Sequence, residues 1–239
     1  VQAYIEAGRI HLMRSRISAA SDSYAAALKL DPRNVQALMG DAELFFRSGR
    51  NSQALLRFQE AMAADEANVA PKIGAIKTLL ALEKKKDAQA LAKKVREAKP
   101  DSGLGAYWMG RVEESLGNKK DAETLYLECI KTGATETEVV DGYVALVALL
   151  SASGRGEDAQ AKLAEASAKY PNLAALHRAK GDVFAEAGRF AEARTEYEAA
   201  LAKEDDLGTR FRLGETLRKM RAFDEAMAVL DKLQAADKD

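Results

Sequence analysis

The apolar residues of this chain recur every 34 residues, and this period constrains the fold more than any other feature of the sequence. When the sequence is arranged in rows of 34 from Val1, the first four rows align without a gap. Column 20 holds Ala20, Ala54, Ala88 and Ala122, and column 24 holds Tyr24, Phe58, Ala92 and Tyr126. Units of this length bury their apolar surface by stacking on their neighbours. The chain is therefore expected to be an array of repeated units.

Each row contains the apolar spacing of two α-helices. Columns 20, 24 and 27 are spaced i, i+4, i+7 and define one face of a second helix, and columns 4, 7, 8 and 11 define a first helix in the same way. Between the two helices, column 15 is often glycine, which can adopt a left-handed conformation just after a helix end. These glycines are Gly49, Gly117, Gly154 and Gly188. Proline in column 32, at Pro32, Pro100 and Pro171, ends the second helix.

The repeats predict one all-α domain of seven helical hairpins over residues 1–239. Their predicted boundaries are 1–34, 35–68, 69–102, 103–136, 140–173, 174–206 and 207–239. The last repeat presents Met227, Leu230 and Leu233 and ends in only a short charged tail. Because terminal repeats of such arrays usually carry a polar outer face, this apolar face is expected to be covered. We therefore expect that the chain is a segment of a longer protein, or that two copies associate through the C-terminal repeat.

The column pattern resembles that of the tetratricopeptide-repeat (TPR) family. The shared features are small residues at columns 8, 20 and 27, an aromatic residue at column 24 and proline at column 32, and they cover essentially the whole chain. The sixth row is the most similar to the family pattern, over residues 177–205. The family's tryptophan at column 4 is absent, and the single Trp108 stands at column 6. The third row departs most, with Ile76 at column 8 and Ala92 at column 24. The resemblance implies a right-handed α-solenoid, or superhelix, that binds proteins.

Members of this family hold a peptide or a partner's surface on the concave face, which first-helix columns 2, 5, 9, 12 and 13 line. Carried over to rows one to four, these columns predict a groove lined by Ile5, Arg9, Leu12, Met13, Met39, Phe46, Arg47, Ile73, Lys77, Leu80, Tyr107 and Arg111. The mixture of apolar side chains and cations suits an amphipathic, acidic segment. The alternative is that these residues serve only helix packing and solubility. The lysine and asparagine clamp of chaperone-binding relatives is absent, so that role is not predicted.

Composition excludes several classes of protein. The chain is 47% hydrophobic and 31% charged with a net charge of -1, which indicates a globular protein and disfavours nucleic acid as the principal partner. The longest apolar stretch, Val139 to Leu150, is too short to span a bilayer, so no membrane insertion is predicted. We expect any targeting segment to lie outside the given sequence, and a cytoplasmic or a periplasmic location is left open.

No catalytic or metal-binding constellation is found in the sequence. Cys129 is the only cysteine, and His11 and His177 stand at packing columns of distant repeats, without further ligands at metal-binding spacing. The glycines form neither a dinucleotide-binding nor a Walker motif. We therefore predict that the protein is not an enzyme and needs no metal or cofactor.

A basic cluster occupies the turn and second helix of row three. It consists of Lys84, Lys85, Lys86, Lys93 and Lys94, followed by Arg96 and Lys99. It is interpreted either as a solvated convex surface or as a secondary docking patch for an acidic partner. It is also the only feature that favours an RNA-binding helical repeat, and the repeat columns do not match that class.

Two functional classes follow from the resemblance. The first is a non-catalytic scaffold or adaptor that binds a peptide or a partner protein in the concave groove. The second is a bacterial envelope or pilus assembly factor, similar to TPR lipoproteins, that acts through broad surfaces. The alanine-rich composition favours a bacterial source.

Overall fold

The structure is a computed structural model that describes residues 1–14 and 16–236, with side chains described as far as residue 231. The described residues form fourteen α-helices and no β-strand, which confirms the all-α fold of seven hairpins. The helices are α1 (Gln2–Met13), α2 (Ile17–Leu30), α3 (Val35–Arg47), α4 (Asn51–Ala64), α5 (Ala70–Ala81), α6 (Lys85–Ala98), α7 (Gly103–Ser115), α8 (Lys119–Thr132), α9 (Glu136–Ser151), α10 (Gly156–Lys169), α11 (Ala174–Glu186), α12 (Phe190–Lys203), α13 (Leu207–Lys219) and α14 (Phe223–Ala236).

The chain divides into two compact units. Unit 1 comprises residues 1–100 and 104–118, which hold α1 to α6 and nearly all of α7. Unit 2 comprises residues 101–103 and the described residues from 119 onward, which hold α8 to α14. Within each unit, sequential helices pack in antiparallel pairs, and each pair packs on the next.

The turn inside each hairpin is built on one residue with positive φ. Column 15 supplies it in all six described turns of this kind: Gly49, Gly117, Gly154 and Gly188, and also Glu83 (φ 57°) and Arg221 (φ 62°). The residue after it donates a backbone hydrogen bond to the carbonyl five residues earlier, as Arg50 N does to Phe45 O at 2.9 Å. This bond ends the first helix and reverses the chain, as the sequence predicts for the glycines. Column 15 of the first row is Ser15, which lies outside the described residues.

The second helices bury columns 20, 24 and 27, as the periodicity predicts. Tyr24 and Tyr197 are 2% exposed, and the alanines four residues before them are fully buried. Column 24 rings lie directly on glycine backbone, since a Cβ added at Gly8 or Gly181 would come within 3 Å of the Tyr24 or Tyr197 ring. Of the last repeat, Ala226 is buried, and the side chain of Leu233 lies outside the described residues.

The divergent third repeat exchanges its large and small positions. Ile76 at column 8 is fully buried where four other repeats have glycine, and Ala92 at column 24 is fully buried where four other repeats have an aromatic ring. Trp108, at column 6 of the next repeat, is 7% exposed and belongs to the same core cluster as both residues. The aromatic ring has therefore moved from a second helix to the following first helix, and the volume of the core is kept.

Candidate functional site

Unit 1 contains a cavity of about 500 Å³ between its first helices. Helices α1, α3 and α5 supply most of its wall, and α2 and α4 each supply one aromatic ring. The lining residues are Ile5, Glu6, Arg9, Leu12, Met13, Tyr24, Gln36, Met39, Gly40, Glu43, Phe46, Arg47, Phe58, Ala70, Ile73, Gly74 and Lys77. The wall is mainly apolar, with charged groups at its edges, as is usual for sites that hold a ligand.

Nine of the twelve groove residues predicted from the sequence line this cavity. They are Ile5, Arg9, Leu12, Met13, Met39, Phe46, Arg47, Ile73 and Lys77. The other three do not line it. Leu80 and Tyr107 are half-buried against the core cluster of unit 1, and Arg111 is exposed, with its guanidinium 6.0 Å from the centre of the Tyr107 ring.

Two glycines shape the cavity floor. A Cβ at Gly40 would lie 2.3 Å from the Tyr24 ring, and one at Gly74 would lie 2.2 Å from the Phe58 ring. Both glycines stand at column 6, where any side chain would collide with the ring of the preceding repeat. The next repeat has Trp108 at this column, and its bulk occupies the corresponding place. The open floor therefore belongs to the first three repeats.

The residues that form this floor are not among those predicted from the sequence. The predicted groove uses first-helix columns alone, and the second-helix rings of Tyr24 and Phe58 are predicted only as core. The signal for them was present in the sequence, because glycine at column 6 occurs in the second and third rows, directly after rows with an aromatic column 24. Glu6, Glu43 and Gln36 were also missed.

The charged rim of the cavity has three cations and two carboxylates. Arg9 lies 2.6 Å from Glu6 and Arg47 lies 2.8 Å from Glu43, and all four side chains are 40% or more exposed. Exposed ion pairs of this kind contribute only about 0–1 kcal/mol, so a ligand carboxylate can exchange with them at little cost. Lys77 has no described carboxylate within 4.0 Å, and its Nζ lies 5.5 Å from the centre of the Trp108 indole ring. The rim therefore favours an anionic ligand.

Burial and charge act on the Tyr24 phenol in opposite directions. Burial raises the pKa of Tyr24, and the Arg47 and Arg9 cations oppose that rise more strongly than Glu43 and Glu6 add to it. All four charged residues line the cavity. The phenol is protonated at neutral pH and can donate a hydrogen bond.

Unit 2 contains a separate cavity of about 300 Å³ with a different polar group. Asp182 lines it, accepts a hydrogen bond from Tyr197 Oη at 2.7 Å and forms an ion pair with Arg212, whose Nε lies 2.9 Å from Asp182 Oδ1. Burial raises the pKa of Asp182, and these two partners lower it. The Ser151 hydroxyl donates to Glu186 at the same cavity. The polar groups of this site are therefore bonded to one another, in contrast to the phenol of unit 1.

The basic cluster of row three lies on α6 and its N-terminal turn, away from the unit 1 cavity. None of Lys84, Lys85, Lys86, Lys93 and Lys94 lines that cavity. Four of them are exposed, whereas Lys85 lies 3.1 Å from Glu83 and donates to the Ser115 carbonyl at 2.7 Å. The basic cluster is therefore separate from the unit 1 cavity.

The residues with the greatest potential for chemistry are held in structural contacts. Burial raises the pKa of the Cys129 thiol to about 12, and the thiol donates to the Glu138 carbonyl at 3.2 Å, so it is not a reactive thiolate. His177 Nδ1 lies 2.6 Å from Glu196 Oε2. Over the part of the chain that the structure describes, no three side chains form a metal-binding cluster. No helix within that part has the length and apolar character needed to span a bilayer.

Comparisons with known proteins agree with this architecture. Tetratricopeptide-repeat family models match residues 45–109 and 184–239 in one version, and residues 5–69 and 144–208 in another. No curated protein sequence matches the chain.

Solved structures with a similar fold include three repeat proteins. Yeast Tom70 is 18% identical with a TM-score of 0.69, over 97% of this chain and 49% of that one. A tetratricopeptide-repeat protein from Parabacteroides merdae is 15% identical with a TM-score of 0.63, and the match covers 98% of this chain and 92% of that one. PilW, a type IV pilus biogenesis factor, is 16% identical with a TM-score of 0.57, and the match covers 84% of this chain and 92% of that one. At such identities the likeness extends to the fold alone.

Proposed function

The chain belongs to the tetratricopeptide-repeat family, and from this premise we propose that unit 1 holds a segment of a partner protein in its cavity. Repeat arrays of this kind act as protein-interaction scaffolds through their extended surfaces, typically without catalysis. The proposed ligand is an extended, amphipathic peptide segment that carries apolar and acidic side chains.

The observation that carries this proposal is the cavity itself. Its volume of about 500 Å³ lies in the range that accommodates a ligand group, which for a peptide means one or two large side chains. Met13, Met39 and Phe46 offer adaptable apolar surface, since methionine fits side chains of different shapes. Arg9, Arg47 and Lys77 surround this surface and attract carboxylates.

A charge placed in the cavity tests the proposal. Met39→Glu would add a third carboxylate to the wall, and we expect it to weaken binding of acidic, amphipathic octapeptides at least tenfold through repulsion and loss of apolar contact. Leu127→Glu is the matched control, because Leu127 is 41% exposed on α8 and lies outside both the cavity and the α13 and α14 surface. The peptides would carry blocked termini, with leucine, phenylalanine, aspartate and glutamate in varied order, and binding would be measured by fluorescence anisotropy.

The two variants separate the outcomes. Equal binding by wild type and Met39→Glu would place the ligand elsewhere and end the proposal. Equal loss in both variants would indicate a general effect of added charge. Circular dichroism of both proteins checks that each remains helical.

A second candidate function is that of an assembly factor acting through a broad surface. It is favoured by exposed apolar side chains on α13 and α14, among which Phe211, Phe223 and Met227 are each more than half exposed. Large apolar side chains left in water are a feature of protein interaction sites. The fold similarity to PilW fits this candidate without identifying a partner. Peptide binding that fails while association through α13 and α14 is retained would favour it over the first.

A further inference from the structure

The hydroxyl of Tyr24 is the one polar group at the floor of the unit 1 cavity that lacks a described partner. The Tyr24 side chain is 2% exposed, yet its Oη forms no hydrogen bond with any residue that the structure describes. Two other buried tyrosines donate their hydroxyl protons to carboxylates: Tyr143 Oη donates to Glu165 at 2.6 Å, and Tyr197 Oη donates to Asp182 at 2.7 Å. The oxygen itself is not sealed from solvent, so in the free protein it can bond to water in the cavity, and an acceptor on a ligand can take the place of that water.

The position of this hydroxyl shows where a partner could come from. Tyr24 and Gly40 both line the cavity, and Tyr24 Oη lies 2.8 Å from the point where a Cβ of Gly40 would be. Because Gly40 has no side chain, nothing from α3 covers the hydroxyl at that point. The phenol therefore faces ligand space between α1 and α3.

The surroundings of the hydroxyl select the type of acceptor. Arg9 and Arg47 stand on the two helices that flank it, one on α1 and one on α3, and both line the cavity. Their present partners, Glu6 and Glu43, neighbour them on their own helices. A ligand carboxylate placed at the hydroxyl would accept from the phenol and lie near both guanidinium groups, and such charge-assisted hydrogen bonds are stronger than neutral ones.

We propose that Tyr24 is a specificity-determining residue that donates a hydrogen bond to a side-chain carboxylate of the bound segment. The apolar wall formed by Leu12, Met39 and Phe46 takes the bulky side chain beside that carboxylate. The preferred segment therefore carries aspartate or glutamate next to a large apolar residue. This inference rests on the proposed function of the same cavity, and adds the acceptor that the cavity selects.

Tyr24→Phe removes the donor and keeps the ring. In this variant we expect binding of the blocked acidic octapeptides to weaken about tenfold, the magnitude of a hydrogen bond to a charged group. A second peptide set replaces aspartate and glutamate by asparagine and glutamine. Wild type should bind this amide set about tenfold more weakly than the acidic set, and Tyr24→Phe should bind the two sets with nearly the same affinity. A merely structural role of Tyr24 would not make the effect of the substitution depend on whether the peptide carries carboxylates or amides.

Tyr197→Phe is the matched control, because it removes a column 24 hydroxyl in unit 2. It should leave peptide binding unchanged. A third peptide set, neutral except for a free C-terminal carboxylate, distinguishes the source of the carboxylate. If Tyr24→Phe weakens only this set, the carboxylate is a chain terminus and the side-chain assignment is wrong.

The outcomes separate the two levels of the proposal. If wild type binds none of the peptide sets, the proposed function of the cavity fails. If wild type binds and Tyr24→Phe binds the acidic set equally well, the cavity is a peptide site but the role of the hydroxyl is refuted. Equal weakening of the acidic and amide sets by Tyr24→Phe would also refute it, since the ring position rather than the carboxylate would then matter.

Discussion

Tyr24 and Tyr197 occupy the same column of their repeats, and both rings lie on glycine, yet their hydroxyls have different energetic roles. Tyr197 Oη donates a hydrogen bond to the Asp182 carboxylate, whose pKa is raised by burial and which also pairs with Arg212. Tyr24 Oη has no described partner. Removing the Tyr197 hydroxyl leaves a buried acceptor less satisfied, whereas removing the Tyr24 hydroxyl, which is open to the cavity, leaves no protein acceptor without its donor.

The two tyrosines should therefore respond differently to the loss of the hydroxyl. We expect Tyr197→Phe to lower the free energy of unfolding by about 1 kcal/mol, and Tyr24→Phe to leave it nearly unchanged. Urea unfolding followed by circular dichroism measures both. A clear loss of stability in Tyr24→Phe would show that its hydroxyl has a partner within the folded protein, which would also remove the basis for its role in ligand selection.

At the scale of the element, each hairpin turn requires one residue in the left-handed backbone conformation, even where that residue is not glycine. Glu83 has φ 57° at the position where four other repeats have glycine, and its turn keeps the same backbone hydrogen bond, from Lys84 N to Leu79 O at 2.9 Å. A non-glycine residue in this conformation costs roughly 1–2 kcal/mol, of which the greater flexibility of glycine in the unfolded chain offsets a part.

Substitution of Glu83 by glycine should therefore stabilise the protein, by about 0.5–1 kcal/mol. Glu83→Ala is the control, because it removes the exposed ion pair with Lys85 but keeps the strained backbone. Thermal unfolding should place Glu83→Gly above wild type and Glu83→Ala at or below it. If both variants melt at the same temperature, the conformation of this residue is not strained.

The same elements show how far the sequence alone could predict this fold and site. Helical spacing and the glycines at column 15 predict the hairpins because both depend on local geometry. The replacement of the missing column 24 ring by Trp108 does not follow from local geometry, since it depends on which ring fills the space between neighbouring repeats. For the same reason Leu80, Tyr107 and Arg111, which match the groove columns, do not line the cavity.

At the scale of the whole molecule, repetition of the backbone does not imply repetition of the surface. The unit 1 cavity has three cations at its rim and an unpaired donor at its floor, whereas the unit 2 cavity has Asp182 and Glu186 with Arg212. Helical hairpins of one design thus present different chemistry in each unit. Single substitutions at the surface can alter recognition while the buried columns maintain the fold.

The last two helices carry four large apolar side chains that are at least half exposed. Leu207, Phe211, Phe223 and Met227 are each 50% or more exposed on α13 and α14. Burying such side chains against a second copy would remove them from water at about 25 cal/mol per Å². We therefore expect the chain to self-associate at micromolar to millimolar concentration, so that its apparent mass in sedimentation equilibrium rises with concentration.

The double substitution Phe211→Glu and Phe223→Glu should restore a monomer, whereas Leu127→Glu, at a 41% exposed position on α8, should not. A wild-type mass that stays monomeric over this range would exclude self-association and leave the surface for a different partner.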